Sequence, residues 1–502
     1  MSHDDWTANA NQTVVVSLVA PNTNSESGLR TIGSFHPKFT YPIFGDDEAI
    51  FGYRKLQIEL RYSAWDMRPN LNISYSKKFP GQGDTQAADI KEILHDFLPE
   101  VAFQNPRDFE AAIRQDHSGW TPPGKLVTSF DSGDKRLEVW KGSLGDPTVN
   151  QLLRRIQIFV PFFIEGGTAI DVDEPDADRW TVYFLYEEKK STEFGKSEYI
   201  FAGYSTVYRF FLYQKPTITE ASNGQQDQSK KDLVLNGDFD LSDLPCRTRI
   251  SQFLVIPSFQ GKGLGSKLYN VVYQDYLQHP QTVEITVEDP NEAFDDMRDI
   301  ADLRFLRTTP EFNALHLNTS LLIPKSGPAP KDILDNAAAE AVRRKYKIAP
   351  RQFYRVLEMH LMSKLSDALR PGISPEKTTK RATKEENHEY QLWRLMVKKR
   401  LYMHNKDALG QLEMHERIEK LNETVSGVEF DFARLLIKAD DHKDPAAATA
   451  NGKRKRDEAG ESSNPNKKSK LEPNDGPDEG PDEGSDEGSD EGSDEGSEDG
   501  VC

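Results

Sequence analysis

The sequence predicts a mixed α+β chain: an N-terminal α/β region, a central sheet-and-helix core, a helical region and a disordered acidic tail. Three observations carry that expectation. Short apolar or alternating runs bounded by turn residues recur between residues 13 and 287, apolar residues at helical spacing dominate 331–439, and the end of the chain repeats P-D-E-G and S-D-E-G with almost nothing to bury. At 502 residues the chain exceeds what one core usually fills. The expected division is a flexible 1–12, a mixed α/β domain 13–163, a core 164–322, a helical domain 323–440 and a tail 441–502.

In the N-terminal domain, residues 13–19 are rich in β-branched side chains, and Leu56, Ile58 and Leu60 alternate with Gln57, Glu59 and Arg61, so both stretches read as strands. Residues 89–98 carry Ile90, Ile93, Leu94 and Phe97 on one helical face, and Asn105 followed by Pro106 reads as a helix start. An apolar helix over 149–163 then leads through Gly166 and Gly167 into the core.

The core opens with antiparallel-looking strands, 180–186 and 199–213, separated from the next strand by a loop, 221–236, rich in Gln, Ser, Asp and Lys. Phe253, Leu254, Val255 and Ile256 form a short apolar run, as in a strand buried on both faces. Leu264, Leu268, Val271 and Val272 recur at helical spacing. Between them lie Gln260, Gly261, Lys262, Gly263, Gly265 and Ser266. Glycines let main-chain N–H groups approach an anion, and the helix start adds the positive end of its dipole. A phosphate-binding Walker loop would need Lys-Ser or Lys-Thr after its last glycine, and a dinucleotide fingerprint would need G-x-G-x-x-G; neither is present. The pattern Q-x-x-G-x-G at Gln260, Gly263 and Gly265 resembles the coenzyme A pyrophosphate loop of the GCN5-related N-acetyltransferases. A glycine-rich turn without a ligand is the plainer alternative.

A second strand, 283–287, ends in Glu288-Asp289-Pro290-Asn291, where Pro290 forces a turn and a helix follows. Moving an acetyl group to a lysine requires a base, because an amine with a pKa near ~10.4 is mostly ammonium and lacks a free lone pair. Glu288 is the candidate; helix capping is the alternative role for this acidic cluster. The strings F-Q-G-K-G-L-G-S and I-T-V-E-D-P-N-E-A-F-D-D, with Phe44-Gly45-Asp46-Asp47-Glu48, Asp171-Val172-Asp173 before Arg179-Trp180, and residues 204–213, resemble the catalytic subunits of type B histone acetyltransferases. The resemblance covers about 13–439 and is most specific over 165–296.

That resemblance implies a central GCN5-related N-acetyltransferase fold and acetyl-CoA as co-substrate, with no metal. It implies that Phe253, Leu254 and Val255 lie along the pantetheine arm and that Gln260, Gly261, Lys262, Gly263, Leu264, Gly265 and Ser266 hold the pyrophosphate, with Asn291 near the thiol end. Glu288, Asp289 and Glu165 match carboxylates near the amine. Asp46, Asp47 and Glu48 match a histone-contacting segment, and Trp180, Tyr208, Arg209 and Phe210 match the wall of the lysine path. Relatives carry Tyr where Phe210 stands. The implied substrate is the N-terminal tail of newly made, non-nucleosomal histone four, with a WD-repeat histone chaperone as partner and roles in chromatin assembly, silencing and DNA repair. The alternatives are an acyltransferase for another basic protein or small amine, and a non-catalytic histone carrier.

Composition narrows the setting. The two cysteines, Cys246 and Cys502, cannot form a disulfide scaffold, no Cys/His cluster has metal-ligand spacing, and no apolar run reaches membrane-spanning length. A soluble protein in a reducing compartment is expected, in nucleus and cytoplasm. Residues 471–502 hold 14 of the 82 acidic side chains and no Lys or Arg, so the preceding chain carries only −5 of the −19 formal charge. That tail reads either as a solvated spacer or as a transient contact for basic histones. Lys453-Arg454-Lys455-Arg456 and Lys467-Lys468-Ser469-Lys470 read as a bipartite nuclear localisation signal, with nonspecific nucleic-acid contact as the rival. Lys398-Lys399-Arg400 reads as a solvated helix face, and direct DNA contact is not expected.

Overall fold

In residues 14–21, Val14, Val16 and Leu18 point to one side while Val19 and Ala20 are buried as well, so this strand belongs in the interior of a sheet. Val14–Pro21 (β1) has antiparallel Leu29–Phe35 (β2) on one side and parallel Gln57–Ser63 (β3) on the other. Pro69–Ser74 (β4) completes the order β2-β1-β3-β4. Ile58, Leu60 and Tyr62 are buried at alternate positions of β3, as their spacing predicts. The computed structural model describes residues 6–22, 28–115, 119–190, 197–212, 244–324, 329–370 and 381–440. The expected inserted loop, both basic clusters and the acidic repeat lie outside them.

Asp89 and Asn105 cap the helices Ile90–His95 (α1) and Pro106–Arg114 (α2) with their side-chain oxygens, because short polar side chains satisfy first-turn N–H groups that have no helical partner. The apolar stretch 149–163 departs from the single helix expected of it and forms two, Pro147–Ile156 (α3) and Phe159–Phe163 (α4). Pro161 has no N–H for the Gln157 carbonyl, which instead accepts from Val160 in a tighter turn at 3.0 Å.

The larger sheet has six strands: Lys125–Ser132 (β5), Lys135–Ser143 (β6), Trp180–Lys190 (β7), Ser197–Phe211 (β8), Cys246–Val255 (β9) and Thr282–Val287 (β10), in the order β10-β9-β8-β7-β6-β5. It draws on both sides of residue 163, because Leu137 and Val139 of β6 are fully buried and β6 pairs with β7 from Ser143↔Thr181 to Arg136↔Glu188. All neighbours are antiparallel except β9 and β10, which the helix Leu264–Gln278 (α5) joins as a parallel pair requires.

The position of the cleft follows from a difference in length. β10 accompanies β9 only to Ile250↔Val287, and the Glu288 N–H donates to the Ile250 carbonyl at 2.8 Å; β9 then continues to Val255 with, among the described residues, only β8 beside it. Gly203 permits that last stretch, since a Cβ there would meet the Leu254 carbonyl oxygen at 2.4 Å.

Beyond the sheet, Glu292–Arg307 (α6), Asn336–Lys345 (α7), Pro350–Lys364 (α8), Lys384–His404 (α9) and Met414–Asp440 (α10) form the helical region. The basic run 398–400 is not wholly a solvated face. Arg400 forks onto Glu358 at 2.7 and 2.8 Å, and burial raises the Glu358 pKa. Among the described residues no helix is long and apolar enough to cross a membrane.

Candidate active site

Alternation along β9 buries Thr248, Ile250, Gln252 and Leu254 on one face and turns Arg247, Arg249, Ser251 and Phe253 to the other. Where β9 outruns β10, this second face opens into a cleft of about 660 Å³, within the usual range of about 300–1,000 Å³ for small-molecule sites. Ser251, Phe253, Leu254 and Val255 line it from β9, Gln260, Gly261 and Gly263–Ser266 from the loop and α5, and Val287–Asn291 from the end of β10. Phe294 and Met297 of α6 and Phe163–Glu165 at the end of α4 close the remaining sides, with His36 and Lys38.

The loop is organised by its sequence. The Gln260 amide donates to the Val255 carbonyl at 2.7 Å, tying the loop to the strand end. Gly261 and Gly263 hold φ of +75° and +71°, a left-handed conformation that disfavours a Cβ. Gly263 occupies the N-cap position of α5 without a capping side chain, so no side-chain cap competes for the helix's first N–H groups, beside which Leu264, Gly265 and Ser266 line the cleft. Gly265 packs against α6, where a Cβ would come within 3.0 Å of the Met297 sulfur. A strand end that outruns β10, an uncapped helix start and an open left-handed turn fit an amide-bearing arm that ends in a diphosphate, as coenzyme A has. Lys262 does not line the cleft; its amine bonds the Ser258 carbonyl at 3.3 Å and lies 5.7 Å from the Phe259 ring centroid.

All three candidate carboxylates, Glu165, Glu288 and Asp289, come together in this cleft from segments far apart in sequence. Glu288 is held on both oxygens: Arg249 Nη1 lies 3.0 Å from Oε1, and the Ser251 hydroxyl donates to Oε2 at 2.5 Å. Asp289 has φ of +32° just before Pro290, a backbone state rare outside glycine and one that turns the chain sharply after β10. Asn291 lines the cleft, but its side-chain oxygen accepts from the Phe294 N–H at 2.9 Å and so caps α6.

The expected substrate residues lie outside this cleft's lining. Trp180, Tyr208 and Phe210 stand in a row with centroid spacings of 4.7 and 4.6 Å, set by the register Trp180↔Tyr208. The Tyr208 hydroxyl donates to Asp176 at 2.7 Å and accepts from Arg179 at 3.2 Å, and burial raises its pKa. Arg249 joins the row to Glu288, its guanidinium carbon 4.3 Å from the Phe210 centroid. Arg209 points to the other face and bonds the Asp178 carbonyl at 2.8 Å. Asp46 and Asp47 are exposed. Glu48 is committed to its own loop: it accepts from the Thr40 N–H at 2.7 Å, the Tyr41 N–H at 3.2 Å and the Asn11 amide at 2.5 Å, with the Thr40 contact foremost in lowering its pKa.

Sequence reasoning missed Arg249 and Ser251, whose signal was available as polar residues alternating with apolar ones just ahead of Phe253. It also missed His36, Lys38 and Met297, which only tertiary packing brings to the cleft. Among the described residues no group of three or more His, Cys, Asp or Glu is arranged to hold a metal ion.

Comparison with known proteins identifies the family. The family described as "Histone acetyl transferase HAT1 N-terminus" matches residues 6–165, and "Fungal HAT1, C-terminal" matches residues 299–366. A histone acetyltransferase type B catalytic subunit from Neurospora crassa is 50% identical over 506 residues, covering 93% of this chain and 98% of the relative. Proteins of the same description from Gibberella zeae and Aspergillus oryzae are 50% and 40% identical, covering 90% and 87% of this chain and 95% and 86% of the relatives. These alignments extend across nearly the whole of each relative, and the chain belongs to the histone acetyltransferase type B catalytic subunits.

Proposed function

We propose that this histone lysine acetyltransferase takes acetyl from acetyl-CoA and places it on the ε-amine of a lysine in the N-terminal tail of newly synthesised, non-nucleosomal histone four, with Glu288 as general base. The observation that carries this reading is the shared cleft. Glu288 stands where β10 leaves β9, beside the same opening that the glycine loop and the start of α5 line. The core fold is proposed to be that of the GCN5-related N-acetyltransferases.

Acetyl-CoA supplies an acyl group activated as a thioester. Phe253, Leu254 and Val255 line the path of the amide-bearing arm where β9 extends beyond β10, and Gln260, Gly261 and Gly263–Ser266 form the anion cradle. The row Trp180, Tyr208, Phe210 guides the lysine stem toward Glu288, and Asp46 and Asp47 attract the basic tail. Glu288 takes a proton from the ammonium directly or through water, the freed lone pair attacks the thioester carbonyl to form the C–N bond, and the C–S bond breaks to release the coenzyme thiolate, which takes up the second amine proton and leaves as the thiol. Asp289 and Glu165 add negative charge around the incoming cation, and a main-chain N–H at the parting of the strands stabilises the developing oxyanion. No cysteine nucleophile is involved, and Cys246 is buried away from the cleft.

The proposal extends to a WD-repeat chaperone partner, action in both cytoplasm and nucleus, and a part in chromatin assembly. The decisive experiment incubates the full chain with acetyl-CoA and a histone-four tail peptide and locates the product by mass spectrometry. Acetyl-lysine in the tail is expected. Acetylation only of other amines, or histone binding without transfer, would overturn it.

A further inference from the structure

Glu288 has an unexpected neighbour for a group that must receive a lysine. Arg249 is another cation, and it bridges the last aromatic ring of the row and Glu288: its guanidinium carbon lies 4.3 Å from the Phe210 centroid and its Nη1 lies 3.0 Å from Glu288 Oε1. The sheet fixes this geometry. Arg249 pairs in register with Tyr208 on one side and Thr286 on the other, and it shares a face of β9 with Ser251, the second donor to Glu288.

We propose that Arg249 is a positioning residue for the acetyl transfer, acting through Glu288; the inference rests on the reading of Glu288 as base. Guanidinium is planar, permanently charged and suited both to an aromatic face and to a carboxylate, so Phe210 and Glu288 together hold Arg249 in one orientation. In turn, Arg249 and Ser251 each bind one oxygen of Glu288 and fix its plane. An ionised carboxylate offers about four acceptor sites, so two donors leave others open for the substrate proton. The arginine also contributes through its charge, because a like charge nearby disfavours the ammonium form of an incoming lysine relative to the neutral amine. A ring without a hydroxyl at Phe210 leaves its face to the guanidinium, with no added hydrogen-bonding group to compete for Arg249.

The test is a mutant cycle in the full chain, read as kcat and KM with a histone-four tail peptide. Arg249→Ala should lower kcat on the order of ten- to a hundred-fold with the KM for acetyl-CoA nearly unchanged, since a displaced reacting group costs about that much. Arg249→Lys keeps the charge without the fork and should fall between that variant and the parent. In a Glu288→Gln background, Arg249→Ala should cause no further loss, whereas a merely structural role would multiply the two losses. Methylguanidinium added at millimolar concentration should restore part of the Arg249→Ala turnover. Arg249→Ala at parent kcat, or multiplying losses in the double variant, overturns the proposal while a collapsed Glu288→Gln leaves the base assignment standing. Parent turnover in Glu288→Gln would instead remove the base assignment, and the role of Arg249 with it.

Discussion

Arg434 in α10 grips Asp296 in α6 with both terminal guanidinium nitrogens, Nη2 lying 2.8 Å from Oδ1. Asp296 is one turn into the helix whose Phe294 and Met297 line the cleft, so the last helix of the described chain holds a wall of the site from behind. Arg355 of α8 adds a second hold on α6 through Asp299 at 2.6 Å and reaches Asp431 of α10 at 3.1 Å. The Arg434 pair is partly exposed, so its contribution is limited to about 1 kcal/mol. Arg434→Ala is therefore expected to raise the KM for acetyl-CoA by up to about fivefold, with a smaller change in kcat. Steady-state kinetics at fixed histone peptide would show this, and an unchanged KM would mean that α6 keeps its place without the clamp.

Glu288→Gln is isosteric and retains an oxygen for the Ser251 hydroxyl, but it cannot take a proton. Turnover should fall by about two to four orders of magnitude, while calorimetric affinity for acetyl-CoA stays within about twofold because the cradle residues are untouched. Asp289→Asn and Glu165→Gln, measured in parallel, should each lose less. A larger loss in either would move the base assignment to that residue.

The local parts of this molecule were legible in the sequence, and the reasons are local. Asp89, Asn105 and Asn291 begin helices because their side chains reach N–H groups two or three residues ahead, a relationship carried entirely within a few positions. The strand, glycine turn and helix around Gly263 were readable for the same reason. What could not be read was set by partners remote in sequence. Glu48 matched a histone-contacting segment, yet Asn11, Thr40 and Tyr41 engage it. Arg400 looked solvated, yet it meets Glu358 from another helix. Arg249 was passed over because its meaning depends on Phe210 and Glu288, each about 40 residues away. Apolar periodicity carries no information about such charge pairing.

Two glycines should fail in different ways. At Gly263 nothing lies within 4 Å of the place a Cβ would take, so Gly263→Ala meets only the left-handed φ of +71° and should lose about 1–2 kcal/mol of stability, together with affinity for acetyl-CoA as the loop relaxes. At Gly203 a Cβ would meet the Leu254 carbonyl oxygen at 2.4 Å and the Val255 Cα at 3.0 Å, backbone atoms that cannot move without parting β8 from β9. Gly203→Ala should thus be the more destabilising of the two. Thermal and urea unfolding of both variants gives the order, and equal losses would show that the sheet yields more readily than its packing implies.

His360 lies in α8 at 3% exposure, its ring 4.6 Å from that of Phe312 and neither ring nitrogen hydrogen-bonded among the described residues. Burial, with the charges of Lys364 and Arg307 nearby, pushes its pKa from 6.5 down to about 3. The unfolded chain therefore binds a proton at this residue between those two values while the folded chain does not, so acid favours unfolding across that window. The loss approaches about 1.4 kcal/mol for each pH unit well below the unfolded value. Replacing the imidazole with an apolar side chain, as in His360→Leu, removes the linkage and leaves no polar ring buried. Urea unfolding followed by helical circular dichroism at pH 7 and pH 5 should show the parent losing up to about 2 kcal/mol more than the variant over that interval. Parallel curves for the two proteins would mean that the ring takes up its proton in the folded state, through an opening of α8 that exposes it to water.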